Sequence, residues 1–437
     1  MFPGQSQPRC AVRGADGPIL TGASRHPHYT GDMPTPPKTS TSAPTRLRVS
    51  MLGSFPPQAQ GIQMYCRGLG EALSRVCALD AIGFRRMYPA FLFPGVKENF
   101  DPGKPPMQGE DLRVSHPLAW YAPWGWLAAA LRVRADVFHL QWWSLPLFPV
   151  AALFVLVMRL RGIPVVITVH NVLPHERSRG FVGAGRWLCR RAVRVLVHSA
   201  VNREQLIAHY GVPPERVVLV PHGSPAPEAM PERTAACARL GLRPERRYVL
   251  AFGVIRPYKG VGDLIDALAR IAAPCPEVDL IVAGKPWVDW EPYAARIAAH
   301  GLDARVHTFL DYIPETALGD YFAVADLVAL PYTHFDAQSG VGAQALPYGK
   351  PLLVSQTGAL PEWVDHAPAW LVPPSSPAAL AERLQWVFAD WAAARAAFAP
   401  VAARVLARHG WDVAAAAHVA VYAQAVAPTD RTTVPEC

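Results

Sequence analysis

The residues best placed to do chemistry lie between Phe335 and Glu362, in FDAQSGVGAQALPYGKPLLVSQTGALPE. Gln338-Ser339-Gly340-Val341-Gly342 forms a loop of small residues leading into a short helix, with Ala343, Ala345 and Leu346 on its apolar side. Such a loop aims several backbone N–H groups at one spot, and the helix dipole adds partial positive charge there, so the spot suits a phosphate. Asp336 stands just before the loop and Gln344 in the first turns of the helix, and both side chains can accept hydrogen bonds from hydroxyls. Phosphate donors between two hydroxyl acceptors point to a nucleotide-sugar. An ordinary strand-to-helix turn in a Rossmann-like sheet uses the same small residues, so the stretch alone leaves both readings open.

Three further places carry reactive or charged groups at strand ends. Arg256 and Lys259 sit three apart in GVIRPYKG, after the apolar strand Tyr248 to Phe252. That spacing suits a pyrophosphate clamp, although surface charge beside a turn would look the same. His170 follows IPVVITV, a run apolar on both faces, and opens the polar stretch His170-Asn171-Val172-Leu173-Pro174-His175-Glu176. Chemistry in α/β proteins collects just past the C-terminal ends of such buried strands, whereas a lone histidine is more often structural. The first strand, RLRVSMLG from Arg46 to Gly53, ends in Gly53-Ser54-Phe55-Pro56-Pro57, a loop that could hold a ligand at the sheet edge or simply start the sheet.

The elements that must position these groups alternate strand and helix. Gly61 to Tyr65 opens an amphipathic helix with Leu69, Ala72, Leu73 and Val76 at helical spacing. Ala135 to Leu140, Ile163 to Val169, Val193 to His198 and Val217 to Val220 read as the remaining strands of the first half. Tyr248 to Phe252, Leu280 to Gly284, Ala304 to Leu310, Ala325 to Pro331 and Leu352 to Val354 supply a second set. A short strand closed by Pro373-Pro374 follows, and helices run to about residue 427. Alternation of this kind predicts α/β architecture: two Rossmann-like domains with parallel sheets. The expected limits are 1–45 for a disordered N-terminal extension, 46–225 for the first domain and 226–410 for the second. A C-terminal helix at 411–427 is expected to pack back on the first domain.

Composition narrows the classes. Of 437 residues 51% are apolar and 17% charged, enough for two cores, and the net charge is +8. A basic balance admits nucleic acid, anionic lipid or phosphate-bearing substrates. No block of five like charges and no zinc-finger or RNA-binding signature occurs, so nucleic acid is discounted. The seven cysteines form no CxxC pair and are odd in number, which argues for a reducing compartment and against a disulfide framework or zinc site. Residues 1–45, ending in PTPPKTSTSAPT, lack the apolar core of a secretory signal and cannot bury much surface; Met51 inside the first strand leaves open whether they belong to the natural protein. The apolar run Leu145 to Met158 is too short to span a bilayer and predicts a buried helix. Arginines and aromatics mix in Phe84 to Gly95, and Trp120, Tyr121, Trp124 and Trp126 crowd together further on. They suit a lipid headgroup or a sugar, or else core with a few exposed rings.

The chain resembles the retaining glycosyltransferases of family 4, which have the GT-B fold of two Rossmann-like domains facing a cleft. The stretches that carry the resemblance in the second half are Gly253 to Gly260, Leu280 to Gly284, Ala325 to Pro331, Ser339-Gly340-Val341, Gly349-Lys350-Pro351, Gly358 to Glu362 and Leu371 to Pro374. In the first half they are Gly53, Gly61 with Tyr65, His170-Asn171 and Pro221-His222-Gly223. Together they cover about residues 46–425 in the right order.

The resemblance implies a nucleoside-diphosphate sugar as co-substrate on the second domain and a glycan or lipid-linked acceptor on the first. It implies donor binding by Gly53, Arg256, Lys259, Ser339, Gly340, Val341, Gln344 and Glu362, with His170 and Asp336 beside the reacting sugar. The family often has two glutamates eight positions apart where this chain has Asp336 and Gln344; the first keeps its charge on a shorter stem, the second loses it. No cofactor and no metal are invoked, because no Asp-x-Asp motif occurs and a basic clamp can replace a cation. The expected setting is cytoplasmic polysaccharide or glycoconjugate synthesis, with peripheral contact at the inner leaflet of the membrane through Arg85, Arg86 and the aromatics near Trp124. A non-catalytic sugar-nucleotide-binding subunit, or another GT-B enzyme such as a sugar-nucleotide epimerase, remains the alternative.

Overall fold

The computed structural model describes residues 46–58, 62–89, 105–173, 180–225 and 230–427. The expectations for residues 1–45, for Gly61, for the stretch from Ala90 to Gly95 and for Pro174-His175-Glu176 lie outside the described residues. Two fully parallel sheets organise the rest. The first contains β1 (Arg48–Leu52), β2 (Ala78–Arg86), β3 (Leu112–Ala119), β4 (Val137–Trp142), β5 (Val165–Val169), β6 (Arg194–Val197) and β7 (Val217–Leu219). Its order is β3-β2-β1-β4-β5-β6-β7. The second contains β8 (Arg247–Phe252), β9 (Val278–Ala283), β10 (Val306–Phe309), β11 (Leu327–Leu330), β12 (Leu352–Ser355) and β13 (Leu371–Val372), in the order β10-β9-β8-β11-β12-β13.

Both orders run outward in two directions from the first strand of their set. The strand direction of travel therefore reverses between β1 and β4 in one sheet and between β8 and β11 in the other. At such switch points the loops leaving the strands part and open a crevice at the C-terminal edge. Burial explains why these segments are strands: every residue of β4, β5, β9, β11 and β12 is buried, as parallel strands covered on both faces require. Two strands escape the sequence reading. β2 and β3 carry polar residues such as Asp80, Arg85, Arg86, Arg113 and His116, so they lack the apolar run that marks the others, and they pair with each other at the sheet edge.

Helices cover both faces. In the first domain they are α1 (Gln63–Ser74), α2 (Pro123–Arg132), α3 (Phe148–Leu160), α4 (Phe181–Cys189) and α5 (Ala200–Gln205). α1 ends at Ser74, so Val76 lies beyond it and is exposed rather than on its apolar face. α3 is half as expected: Phe154, Val155 and Met158 are buried, but Leu156 and Leu160 face outward. The second domain adds α6 (Arg233–Leu240), α7 (Val261–Arg270), α8 (Glu291–Ala299), α9 (Leu318–Val324), α10 (Gly340–Ala345), α11 (Pro377–Ala389) and α12 (Trp391–His409). α7 shows the pattern that makes a surface helix stick: Val261, Leu264, Ile265 and Leu268 form one buried stripe.

The last helix, α13 (Trp411–Val426), leaves the second domain and packs on α1, β4 and β5 of the first. His418 and Tyr422, one turn apart on one face, are fully buried there. Trp411 locks the start of this helix. It rests on Gly68 and on Gly223, where an added Cβ would collide with its indole, and Gly223 also holds φ +87°, a backbone region that side chains disfavour.

Candidate active site

Four strand ends in the first domain each deliver a histidine or its partner to one spot. His139 and Gln141 are the polar residues inside β4, His170 follows β5, His198 follows β6, and His222 follows β7. Tyr65 on α1 is their hub. Its ring centroid lies 4.7 Å from that of His170, 4.9 Å from His198, 5.2 Å from His222 and 5.7 Å from Trp411. The polar atoms are paired in a connected set. His170 Nε2 lies 2.8 Å from Gln141 Oε1, and Gln141 Nε2 lies 3.1 Å from His139 Nε2. His139 Nδ1 lies 2.7 Å from the Tyr422 hydroxyl, and its Nε2 lies 2.8 Å from Thr168 Oγ1. His418 places Nδ1 2.7 Å from the Ala414 carbonyl, so it donates there, and its Nε2 then accepts from Tyr65 Oη at 3.2 Å.

Across from this cluster, the second domain presents its basic pair and its small-residue loop. Gly253, at the end of β8, has φ +91°; a Cβ on it would sit 3.0 Å from Lys259 Nζ and 3.3 Å from Val341 Cγ2. The glycine thus brings Lys259 next to the loop. Lys259 is held over the Tyr332 ring at 5.6 Å and donates weakly to the Phe252 carbonyl at 3.4 Å. Arg256 stacks on Trp287, 4.4 Å from the ring centroid. Ser339 caps α10: its hydroxyl accepts from Gly342 N–H at 3.3 Å, and its carbonyl accepts from Ala343 N–H at 3.0 Å. The N–H groups of Gly340 and Val341 are then the ones that the helix start leaves over.

Hydrogen bonds sew the two faces together. Gln338 Nε2 donates to the His198 carbonyl at 3.0 Å and to Glu362 Oε2 at 2.7 Å, while Glu362 Oε1 accepts from Ala200 N–H at 3.3 Å. Asn202 Nδ2 donates to the Asp336 carbonyl at 2.7 Å, and Ser224 Oγ donates to the Ala343 carbonyl at 2.7 Å. The loop that the sequence singles out is therefore seated on the strand ends that carry the histidines.

Residues 246–390 match the family described as Glycosyl transferases group 1, and residues 60–225 match the family described as Glycosyltransferase Family 4. A GDP-mannose:glycolipid 4-beta-D-mannosyltransferase of Xanthomonas campestris pv. campestris is 30% identical over 55% of this chain and 68% of its own length. The chain belongs to the family 4 glycosyltransferases. A D-inositol 3-phosphate glycosyltransferase of Streptomyces bingchenggensis is 31% identical over 54% of this chain. The chain spans about half to two thirds of the length of these curated relatives. Among solved structures, Anabaena HepE in complex with UDP and glucose superposes with a TM-score of 0.67 at 17% identity, covering 86% of this chain and all of that one. Sucrose-phosphate synthase of Thermosynechococcus elongatus gives 0.67 at 21% identity, covering 88% and 100%. Both likenesses show the GT-B fold.

In this family 4 glycosyltransferase the charges follow from burial. His170 and His198 titrate well below the ordinary histidine value because they are buried, and neighbouring histidines push them further. His222 and His418 are brought down to about 4, again by burial first. The cluster is thus neutral at pH 7. Burial also lowers Lys259 to about 8, helped by Arg256, so the lysine is held as a cation by a narrow margin that an incoming phosphate would widen.

The expected site residues fall into three groups. Arg256, Lys259, Ser339, Gly340 and Val341 share one corner of the second domain, and His170 lies in the histidine cluster opposite. Asp336 and Gln344 flank the loop, Asp336 tied through its backbone to Asn202 and Gln344 placing its amide nitrogen 2.8 Å from Met64 Sδ. Gly53 and Glu362 are occupied by protein: a Cβ on Gly53 would lie 2.9 Å from Cys66 Sγ and 3.2 Å from Gln141 Cγ, and Glu362 is engaged at the seam by Gln338 and Ala200.

Sequence reasoning missed Gln141, His139, His198, Tyr422 and the bridging role of Gln338. One signal was present: polar residues recur inside or just after otherwise apolar strands, in VFHLQW, VVITVH and RVLVH.

Proposed function

We propose that this glycosyltransferase transfers a hexose from a nucleoside-diphosphate sugar to a glycan or lipid-linked acceptor, with retention at the anomeric carbon. The observation that carries the reading is the seating of the Ser339–Gly342 loop, with Lys259 beside it, against the strand ends that carry His170 and His198. The diphosphate would lie against Lys259, Arg256 and the N–H groups of Gly340 and Val341. As the bond to the sugar breaks, negative charge builds on the leaving phosphate, and these groups stabilise it more than they stabilise the bound donor. His170 faces the sugar as a neutral ring that orients a hydroxyl. Retention, by front-face attack in which the leaving phosphate helps deprotonate the acceptor, rests on the family resemblance. Curated relatives described as acting on GDP-mannose with a glycolipid and on D-inositol 3-phosphate support a sugar-nucleotide donor.

An amphipathic acceptor fits the outer surface of the first domain, which would make the protein peripheral at an anionic membrane. Trp124 is 83% and Leu160 87% exposed on the packed pair α2 and α3, Leu131 and Leu156 are exposed on the same two helices, and Trp120 and Tyr121 are exposed in the turn that leads into α2. Arg85, Arg86, Arg132, Arg134, Arg159 and Arg161 are exposed too, and residues 112–135 and 137–175 contain no acidic residue. Apolar rings among arginines match the interface of an anionic bilayer. Among the described residues no helix is long and apolar enough to cross it.

The test is a thermal-shift screen against UDP-, GDP- and ADP-sugars, followed by donor turnover with release of the nucleoside diphosphate. A donor that raises the melting temperature and is slowly hydrolysed supports the reading. Binding without any turnover, with or without lipid-linked acceptors, would leave a sugar-nucleotide-binding subunit instead.

A further inference from the structure

The loop after β9 is not among the expected site residues, yet it is fastened to the loop that carries the basic pair. Gly284 closes β9 with φ +143°, and a Cβ on it would lie 2.3 Å from the Gly253 carbonyl oxygen, so the two loops leave their strands pressed backbone to backbone. Further out they pair as a parallel bridge between Ile255 and Pro286. Ile255 N–H donates to the Lys285 carbonyl at 3.0 Å, and Trp287 N–H donates to the Ile255 carbonyl at 3.0 Å. Ile255 is itself buried. The bridge fixes the backbone of Arg256 against that of Trp287, and the two side chains meet: the guanidinium carbon sits over the indole, 4.4 Å from the ring centroid. Trp287 is 41% exposed, so the core leaves much of this ring open.

The other side of Arg256 is anchored as well. It leads into the turn Pro257–Lys259, where Lys259 N–H donates to the Arg256 carbonyl at 3.0 Å, and Thr333 N–H donates to the Tyr258 carbonyl at 2.7 Å. Lys259 lies over the Tyr332 ring at 5.6 Å, so each cation of the pair has a ring beneath it. The two cations repel, as the lowering of Lys259 by burial and then by Arg256 shows. A long arginine stem would relieve that repulsion by swinging into water, and would have to be ordered again when a phosphate binds. The donors of a guanidinium lie in its plane, so a ring packed on its face uses none of them. A carboxylate in the same place would hold the arginine too, but it would occupy those donors and repel an anion. An indole does neither.

We propose that Trp287 is a positioning residue for Arg256, holding the guanidinium at the site before the diphosphate arrives. The role rests on the diphosphate reading of this corner.

The test is titration calorimetry with UDP, GDP and ADP on wild type, Trp287→Leu, Arg256→Ala and the double variant, with melting temperatures alongside. Trp287→Leu should weaken binding by about five- to tenfold, and Trp287→Tyr, which keeps a ring, should recover most of it. In the Arg256→Ala background the same change should matter by less than about twofold, because Trp287 acts through the arginine. NMR supplies a readout apart from affinity. The Arg256 Nε–H proton, assigned by its loss in Arg256→Lys, should lie upfield in wild type and Trp287→Tyr and return to the ordinary arginine position in Trp287→Leu. Unchanged affinity in Trp287→Leu overturns the proposal, and so does an Arg256 proton with no ring shift. An equal loss in both backgrounds also overturns it, and would make Trp287 a contact of the base or a brace of the loop. Should Trp287→Leu not fold, Trp287→Gln, polar for an exposed position, takes its place in the cycle. A wild type that binds none of the three nucleotides refutes the diphosphate reading itself, and Trp287 then has no site to serve.

Discussion

Acidification should loosen this protein well before most of its carboxylates titrate. His418 is fully buried and His409 nearly so, and burial brings each down to about 4. In the unfolded chain a histidine titrates near ~6.5. A folded value below the unfolded one means that the unfolded chain binds more protons between those limits, so stability is complete above ~6.5 and is lost as pH falls toward ~4. At pH 5 the unfolded site is almost fully protonated and the folded one about one-tenth so, a difference of about 2 kcal/mol for each histidine. The two together give about 4 kcal/mol. With an unfolding entropy of ~0.8 kcal/mol/K for a chain this long, that is a drop of roughly 5 °C in melting temperature between pH 7.5 and 5. His139, His170, His198 and His222 are shifted the same way and add to this drop, while Asp80, Asp263 and Glu362, raised by burial, work against it. The assay is calorimetry across that range at fixed ionic strength. His409→Phe keeps a ring against Trp363, 4.8 Å from the present one, and removes one titrating site, so it should recover about half of the share assigned to this pair. A melting temperature flat to within about 1 °C, or a drop unchanged in His409→Phe, would refute the reasoning.

Three further outcomes are expected. Lys259→Ala and Arg256→Ala should each weaken donor binding by about ten- to a hundredfold, the loss of one charge-assisted hydrogen bond, with an unchanged fold by circular dichroism; titration calorimetry with the nucleoside diphosphate checks it. His170→Ala should lower turnover by roughly a hundredfold while donor affinity holds, because the diphosphate contacts proposed above lie on the other domain; turnover and melting temperature measured on one preparation separate this from a structural histidine. Trp124→Ser with Leu160→Ser should reduce sedimentation with anionic vesicles at low salt, with donor hydrolysis in solution unchanged; equal sedimentation of the double variant and wild type would remove α2 and α3 from any membrane surface.

The parts of the fold that bury on both sides were legible in the sequence, and the parts that do not were hidden. IPVVITV and LIVAG announce parallel strands because no polar residue interrupts them. β2 and β3 did not announce themselves, because ALDAIGFRR and LRVSHPLA set charges at a sheet edge where one side stays wet. In the site the difference is one of range. Arg256 and Lys259 are three apart, and the Ser339–Gly342 loop is contiguous, so local spacing singles them out as candidates, and the structure sets Lys259 beside Val341 at Gly253. The side-chain partner of His170 is Gln141 on strand β4, 29 positions earlier, and Tyr422, which bonds His139 in the same cluster, comes 283 positions after it, so no local pattern links them. The family resemblance implies donor binding by Glu362; in the structure its carboxylate meets Gln338 and Ala200 at the seam between domains, 24 and 162 positions away.

The return of α13 to the first domain has a consequence for how the protein comes into being. A ribosome emits the chain from its N-terminus, and a domain made of contiguous sequence can fold while the rest is still being made. Here the first domain cannot finish in that way. The hydroxyl that completes His139 and the ring nitrogen that receives the Tyr65 proton belong to Tyr422 and His418, which follow the whole second domain in the chain. Until they arrive, Tyr65, His139 and the inner face of α1 stay open to water, and the histidine cluster has no fixed orientation. The order of synthesis thus places the last contacts of the histidine cluster after the second domain has been made.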